Sequence, residues 1–332
     1  MPTSKRGRLL QSLTGLLAPA LLLMSPTWAQ KTFPSQPIKI VVGSEAGSAP
    51  DVLARTLAKE MEPLLKQAVI IENRAGAAGT VGAAVVAQSP PDGHTLLMGT
   101  VSNIALAASF YPVKYKATES FTPIGMVASV PLVLVSSSTV GAADYAQLRS
   151  RLAQPETARN FAYASPGMGG PQHLAGVLLE RQFGLKLLHV PYKSGGAAMT
   201  AVAGGETQIA FAGIPAAIPL LQGKRVVPMF VTSPRRSPAL PEVPSAAEVG
   251  LPTFEVDNWH AVFAPTGLPP SARSTLESAL RTALQAPSVK AEFMKLGAEP
   301  MPGTGAELAD KVAREETRWS ALVKDAGLQK AP

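Results

Sequence analysis

The 332-residue chain contains no cysteine. That absence excludes disulfides, thiolate metal sites, a cysteine nucleophile and a lipid-modified N-terminal cysteine. Histidine is sparse, and His94, His173, His189 and His260 show none of the close spacing of a zinc motif such as His-Glu-x-x-His. No metal and no cofactor is therefore expected. Acidic residues are thin around the glycine-rich loops, apart from Glu45, Asp51 and Asp92. Basic residues are scattered instead of clustered with aromatics, so the formal charge of +7 suits small anions better than nucleic acid. Internal repeats, low-complexity tracts and a flexible linker are missing as well.

Long apolar runs are confined to the N-terminus. Lys5, Arg6 and Arg8 precede an apolar stretch over residues 9–24, and Thr27-Trp28-Ala29 follows, the pattern of a secretory signal peptide cleaved near Ala29. Gln11, Ser12, Thr14 and Pro19 interrupt the stretch, which is also short for a membrane span. Three of the formal positive charges belong to this leader, leaving +4 on the exported chain. Without a cysteine to lipidate, export means a free periplasmic protein. The remaining roughly three hundred residues exceed one typical core and predict two domains.

Within the exported part, short apolar runs at residues 38–42, 68–71, 95–98, 132–135, 161–164, 187–190, 209–212 and 226–231 read as strands. They alternate with helical patterns at residues 81–88, 144–152, 174–182, 197–203 and 216–221, the last closed by Gly223. This alternation predicts an α/β protein. Beyond Pro269 the strand signals stop. Three helices are expected there, marked in turn by Leu276, Leu280 and Leu284, by Val289, Phe293 and Leu296, and by Leu308, Val312, Trp319, Leu322 and Val323.

Residues 38–51 carry the densest signal. Ile38, Ile40, Val41 and Val42 make a strand, and Leu53, Leu57, Met61 and Leu64 recur at helical spacing. Ser48 with Asp51 has the pattern of a capping box, and Pro50 suits a first helical turn. Unpaired N–H groups and the positive end of a helix dipole at such a junction favour a carboxylate or phosphate.

Two further junctions resemble known motifs without matching them. Gly76, Gly79 and Gly82 follow a strand, but the order Gly-x-Gly-x-x-Gly is absent and no acid ends the next strand, which argues against a dinucleotide. Ser165 lies in Tyr163-Ala164-Ser165-Pro166-Gly167, where Tyr163 replaces the first glycine of a nucleophile elbow. A structural role suits His173 better than catalysis, and Ser165 is retained as a hydrogen-bond donor to a ligand. A secreted hydrolase using Ser165 and His173 is the weakest of the functional readings.

Several segments in order give the chain a family likeness. They are Phe33-Pro34-Ser35-Gln36-Pro37-Ile38-Lys39, Glu72-Asn73-Arg74-Ala75-Gly76-Ala77-Ala78-Gly79, Pro91-Asp92-Gly93, Phe121-Thr122-Pro123-Ile124, residues 165–173, Val190-Pro191-Tyr192-Lys193 and residues 232–241. Each is weak alone, but together they span nearly the whole exported chain. On them the sequence resembles the periplasmic substrate-binding components of tripartite tricarboxylate transporters, the Bug-type solute receptors. The resemblance implies a two-lobe, type II-like periplasmic binding protein of α/β class that closes like a Venus flytrap over a cleft. Lobe 1 would comprise residues 30–130 plus 257–332, and lobe 2 residues 131–256.

The same resemblance implies that Ser44, Glu45, Ala46, Gly47, Ser48, Ala77, Ala78, Thr100 and Ser102 line the cleft from the first lobe. Ser165, Gly167, Met168, Gly169, Ala212 and Gly213 would line it from the second. This sequence departs from the family pattern in its first loop, which lacks the usual aromatic and carries Glu45, and at Ala212, where an acid often follows the strand phenylalanine. The expected function is non-enzymatic capture of a small organic acid by a monomer and its delivery to the membrane subunits of a tripartite tricarboxylate-type transporter. A sensory or adaptor receptor for the same ligands is the alternative.

Overall fold

The computed structural model describes residues 32–154, 156 and 160–328. The leader expected over residues 1–29 lies outside them. In chain order the strands are β1 (Ile38–Val42), β2 (Val69–Asn73), β3 (Thr95–Thr100), β4 (Phe121–Ser129), β5 (Leu132–Ser137), β6 (Ala162–Ser165), β7 (Leu188–Pro191), β8 (Ile209–Gly213), β9 (Val226–Val231), β10 (His260–Pro265) and β11 (Glu299–Pro300). Among the described residues they form two sheets, ordered β11-β4-β10-β3-β1-β2 and β7-β6-β8-β5-β9. The chain passes to the second sheet between β4 and β5, and returns between β9 and β10.

Both sheets are mixed. β1 runs parallel to β2 and β3, whereas β10 inserts antiparallel between β3 and β4. In the second sheet β6 is parallel to β7 and β8, and β5 is antiparallel to β8 and β9. Parallel neighbours require crossover helices. α1 (Ala49–Leu65) crosses from β1 to β2 and α5 (Pro171–Phe183) from β6 to β7; α2 (Thr80–Ala87), the short α3 (Ala107–Phe110), α4 (Tyr145–Leu152), α6 (Gly195–Gly204) and α7 (Ile214–Gln222) link strands that are not neighbours. α8 (Pro270–Gln285), α9 (Pro287–Lys295) and α10 (Gly305–Asp325) then follow β10.

Apolar periodicity explains the packing. In α1, Leu53, Leu57, Met61 and Leu65 are buried; Leu64 turns outward instead of joining them. They pack with Ile38, Ile40 and Leu276 on one side of the first sheet. Val133, Ala210, Val202 and Ala217 form the equivalent cluster of the second. A third cluster joins the two halves, since it contains Val41 and Phe263 as well as Tyr163, Phe230 and the α10 residues Trp319 and Leu322.

The structure adds elements that the apolar runs did not mark. β4 and β10 lie outside the expected strands, and β11 lies beyond Pro269, where only helices are expected. Gly223 does close α7, but with φ −75°; the left-handed residue at that end is Lys224, φ 53°.

Candidate functional site

The loops leaving the C-terminal ends of β1, β2 and β3 meet on one side of the first sheet, the usual place for a ligand in a parallel arrangement. A cavity of about 450 Å3 opens there. Gly43, Ser44 and Glu45 enter it from the β1 loop, Ala75 to Gly79 from the β2 loop, and Thr100, Ser102 and Asn103 from β3. Gly170, Pro171 and Gln172 at the start of α5 face them from the second half of the chain, and Asn258 and His260 complete the wall.

Asp51 sets the shape of the first loop. It is almost fully buried, and its carboxylate accepts from the Gly47 N–H at 2.8 Å, from Asn73 Nδ2 at 2.9 Å and from Arg55 Nε at 2.9 Å. Asn73 Nδ2 also donates to the Ser44 carbonyl at 3.0 Å, tying the end of β2 to the β1 loop. Burial works to raise the Asp51 pKa, but Arg55, Gly47 and Asn73 together hold it below the usual carboxylate range. The expected capping box is not formed. Ser48 is the N-cap, yet its hydroxyl lies 2.6 Å from that of Ser44, because Asp51 is committed to the loop that precedes it. Pro50 does occupy the first helical turn.

The β2 loop has unusual backbone geometry. Gly76, Ala77, Ala78 and Gly79 have φ of 132°, 45°, 55° and 88° in succession. Two alanines in the left-handed region are held there at a conformational cost. Successive peptide N–H groups brought together by such a turn form a concavity suited to an anion. Gly79 then caps α2, and its own N–H donates to the Gly76 carbonyl at 2.9 Å. The β1 loop closes over this turn. A Cβ on Gly43 would lie 2.7 Å from the Gly79 Cα and 2.8 Å from its carbonyl oxygen, so only glycine permits the approach.

Charge in the cavity is nearly absent. Among the described residues its wall contains no lysine or arginine, and Glu45 is its one carboxylate. Glu45 is exposed, and its carboxylate has no partner among the described residues. His260 is 1% exposed, paired in register with Thr100, and its Nδ1 has no hydrogen-bond partner. Burial pushes its pKa down to about 4, so the ring is neutral near pH 7.

The expected site residues separate into groups. Ser44, Glu45, Ala77, Ala78, Thr100 and Ser102 line the cavity, whereas Ala46, Gly47 and Ser48 belong to the same loop without forming its wall. None of the expected residues of the second half lines it. The buried Ser165 hydroxyl donates to the Gly167 carbonyl at 2.8 Å and lies 2.7 Å from His189 Nε2. The buried Gly169 packs against Phe110, and its N–H donates to His173 Nδ1 at 3.1 Å. Ala212 is buried within β8, and Gly213 is the N-cap of α7. Met168 lines a different cavity, of about 600 Å3, together with Tyr163, His173 and His189. Gln172 and its neighbours take the expected place. A helix-start rule applied to Pro171 would have found them; His260 leaves no signal, because its register with β3 cannot be read locally.

The same geometry removes the hydrolase pairing. Ser165 meets His189, not His173, and both rings are kept neutral chiefly by burial, His173 with a pKa of about 4. Tyr163, His189 and His173 form a ring stack, with 4.2 Å between the two histidine centroids. Ser165 is inaccessible beneath it. A larger groove of about 920 Å3 runs along α4 and residues 242–249, but none of the strand-end loops reaches it. The smaller cavity at the strand ends is therefore the candidate site.

Known proteins agree with this architecture. The chain is 37% identical over 303 residues to a Pseudomonas sp. protein named "UPF0065 protein in tcbD-tcbE intergenic region", covering 90% of this chain and 89% of the relative. MatC from Rhodopseudomonas palustris with bound malate superposes with a TM-score of 0.73 at 31% identity, covering 88% of this chain and all of that one. A second R. palustris protein, with adipate, superposes with a TM-score of 0.75 at 30% identity, covering 89% and 98%. The fold is that of a two-lobe periplasmic binding protein, and the family model described as "Tripartite tricarboxylate transporter family receptor" matches residues 53–328. The chain belongs to the tripartite tricarboxylate transporter receptor family.

Proposed function

We propose that this protein is a periplasmic receptor that captures a small carboxylate-bearing molecule and delivers it to the membrane subunits of a tripartite tricarboxylate-type transporter. The observation that carries this reading is the left-handed turn at Gly76 to Gly79, which lines a cavity without basic side chains; the Gly79 N–H is used on the Gly76 carbonyl, which leaves the Ala77 and Ala78 N–H groups as the donors for a ligand. A carboxylate is the natural guest of such a turn. Malate and adipate in the two R. palustris relatives support the ligand class. The residues proposed to hold the ligand are Ser44, Glu45, Ala77, Ala78, Thr100 and Ser102, with Gln172 closing from the other lobe.

The lobes proposed are residues 30–130 with 257–332, and residues 131–256. They rotate about the crossovers between β4 and β5 and between β9 and β10, and the receptor works as a monomer after its leader is removed. It performs no chemistry: the cavity brings together donors and shape, but no nucleophile with a base beside it. Thermal-shift screening of the exported chain against a panel of carboxylates, followed by calorimetry, tests the reading. Saturable binding of a carboxylate is expected. Folded protein that binds no small carboxylate would overturn it.

A further inference from the structure

The cavity of about 600 Å3 that Met168 lines lies away from the strand-end loops, between α5 and the last turn of α10. Tyr163, His173 and His189 form one wall as a cluster of rings, and Val177, Leu187 and Leu322 contribute aliphatic surface. The ring wall is held from behind. A Cβ on Gly176 would collide with the Tyr163 ring, so glycine at that place in α5 lets the ring lie against the helix backbone.

Hydrogen bonds fix the tautomers of the two histidines. The Gly169 N–H donates to His173 Nδ1, which places that ring's proton on Nε2. Ser165 gives its hydroxyl proton to the Gly167 carbonyl, so His189 donates from Nε2 to Ser165 and keeps a lone pair on Nδ1. His173 Nε2, His189 Nδ1 and the Tyr163 hydroxyl have no partner among the described residues. Nor are they sealed from solvent: among the described residues, the unpartnered side-chain polar atoms that are sealed are His94 Nδ1, Tyr145 Oη, Thr207 Oγ1 and His260 Nδ1. A donor, an acceptor and a hydroxyl therefore open on the cavity, where water or a ligand must satisfy them.

The electrostatics there disfavour an ion. Burial keeps both imidazoles neutral near pH 7. Glu180 and Asp325 face Arg181 and Lys186 around the rim, so acids and bases balance. Arg181 and Asp325 already pair at 3.3 Å, Glu180 accepts from the Leu187 N–H at 2.7 Å, and Lys186 is exposed. A charged guest would lose its hydration without gaining a buried counter-charge.

We propose that this cavity is a second binding site, separate from the cleft, for an uncharged molecule that joins a compact apolar ring to a hydroxyl. The hydroxyl accepts from His173 Nε2 and donates to His189 Nδ1, with the Tyr163 hydroxyl as its third partner. One oxygen can meet such a mixed set because it both donates and accepts. The ring is buried against Val177, Leu187 and Leu322, and the volume is that of a small-molecule pocket.

The test uses para-cresol, with toluene lacking its hydroxyl and with benzoate and benzylamine as charged counterparts. In the exported chain labelled at the methionine methyl groups, NMR follows the Met168 signal, identified by its loss in Met168→Leu. Para-cresol is expected to shift that signal saturably and to bind at least about tenfold more tightly than each of the other three. Tyr163→Phe removes only the hydroxyl and should weaken para-cresol by about threefold or more while leaving toluene unchanged. Leu185→Trp, which fills the cavity from its half-buried rim, should abolish binding of both; circular dichroism checks that each variant is folded.

Absence of a saturable shift with para-cresol, equal affinity for toluene, or tighter binding of benzoate or benzylamine overturns the proposal in the unmodified protein alone. Para-cresol binding unchanged in folded Tyr163→Phe or Leu185→Trp overturns it as well. None of these outcomes bears on carboxylate capture in the cleft, which the carboxylate panel tests separately.

Discussion

Asp51 shows how one buried side chain can prepare a site that it does not touch. Its carboxylate accepts from Gly47, Asn73 and Arg55, and Asn73 in turn holds the Ser44 carbonyl. Asp51→Ala leaves these donors without their acceptor, and the loop that presents Ser44 and Glu45 loses its anchor. The expected loss is about 2–3 kcal/mol in urea unfolding near neutral pH, with weaker ligand binding in calorimetry. Asp51→Asn should cost less, because one oxygen still accepts from Gly47. The folded pKa is depressed, so the stabilisation is complete above the unfolded value and is lost as pH falls through the folded one. The stability gap between wild type and Asp51→Ala should therefore narrow in strong acid.

Secondary-structure elements decide how closely the site loops can approach. Gly43 lies so near Gly79 that a methyl group would collide with backbone, which cannot rotate away as a side chain can. Gly43→Ala should separate the β1 loop from the β2 turn and weaken binding more than it lowers the melting temperature. At Ala78, φ 55° excludes a β-branched residue without strain. Ala78→Val is expected to cost about 1–3 kcal/mol and most of the affinity, whereas Ala78→Gly should retain the turn, as thermal unfolding and calorimetry would show.

At this scale the sequence was also unevenly legible. β1, β3 and β9 stand out because apolar residues dominate their runs, although Lys39 in β1 is exposed and Val227 and Pro228 in β9 are half-buried. β4 is obscured by Pro123 and Gly125, and its pairing with β10 carries register shifts. β11 pairs with β4 only at Ser129 and Ala128, beyond Pro123, so the proline interrupts no bond to that neighbour. The strand-end loops of the first sheet were readable as donor-rich junctions. The second half was not, because Ser165 and His189 satisfy each other through a pairing between β6 and β7 that no local pattern announces.

For the molecule as a whole, the decisive region is the pair of crossovers between the two sheets. Asp257 connects both: it accepts from Ser129 Oγ at 2.8 Å and from the Val130 N–H at 3.2 Å, and it bridges Pro131. The C-terminal helix α10 covers this junction. Lys311 lies 3.5 Å from Asp257 and 3.0 Å from Glu315, and Glu315 accepts from Trp259 Nε1 at 2.7 Å. Burial outweighs the nearby Lys311 and raises the Asp257 pKa to about 6. The native state thus takes up this proton more readily than the unfolded chain, so the group's contribution to stability is greatest in acid. It declines as pH rises from the unfolded value of 3.8 to about 6 and is level above that. In urea unfolding, Asp257→Asn should flatten the pH dependence across that window, since the neutral amide has no proton to lose. Lys311→Met gives the sharper contrast, because at neutral pH it leaves Asp257 and Glu315 facing each other without their shared cation. A loss of about 3–5 kcal/mol is expected near pH 7.5, shrinking near pH 5 as Asp257 takes up a proton. A loss that is the same at both pH values would show that Asp257 does not titrate in this junction.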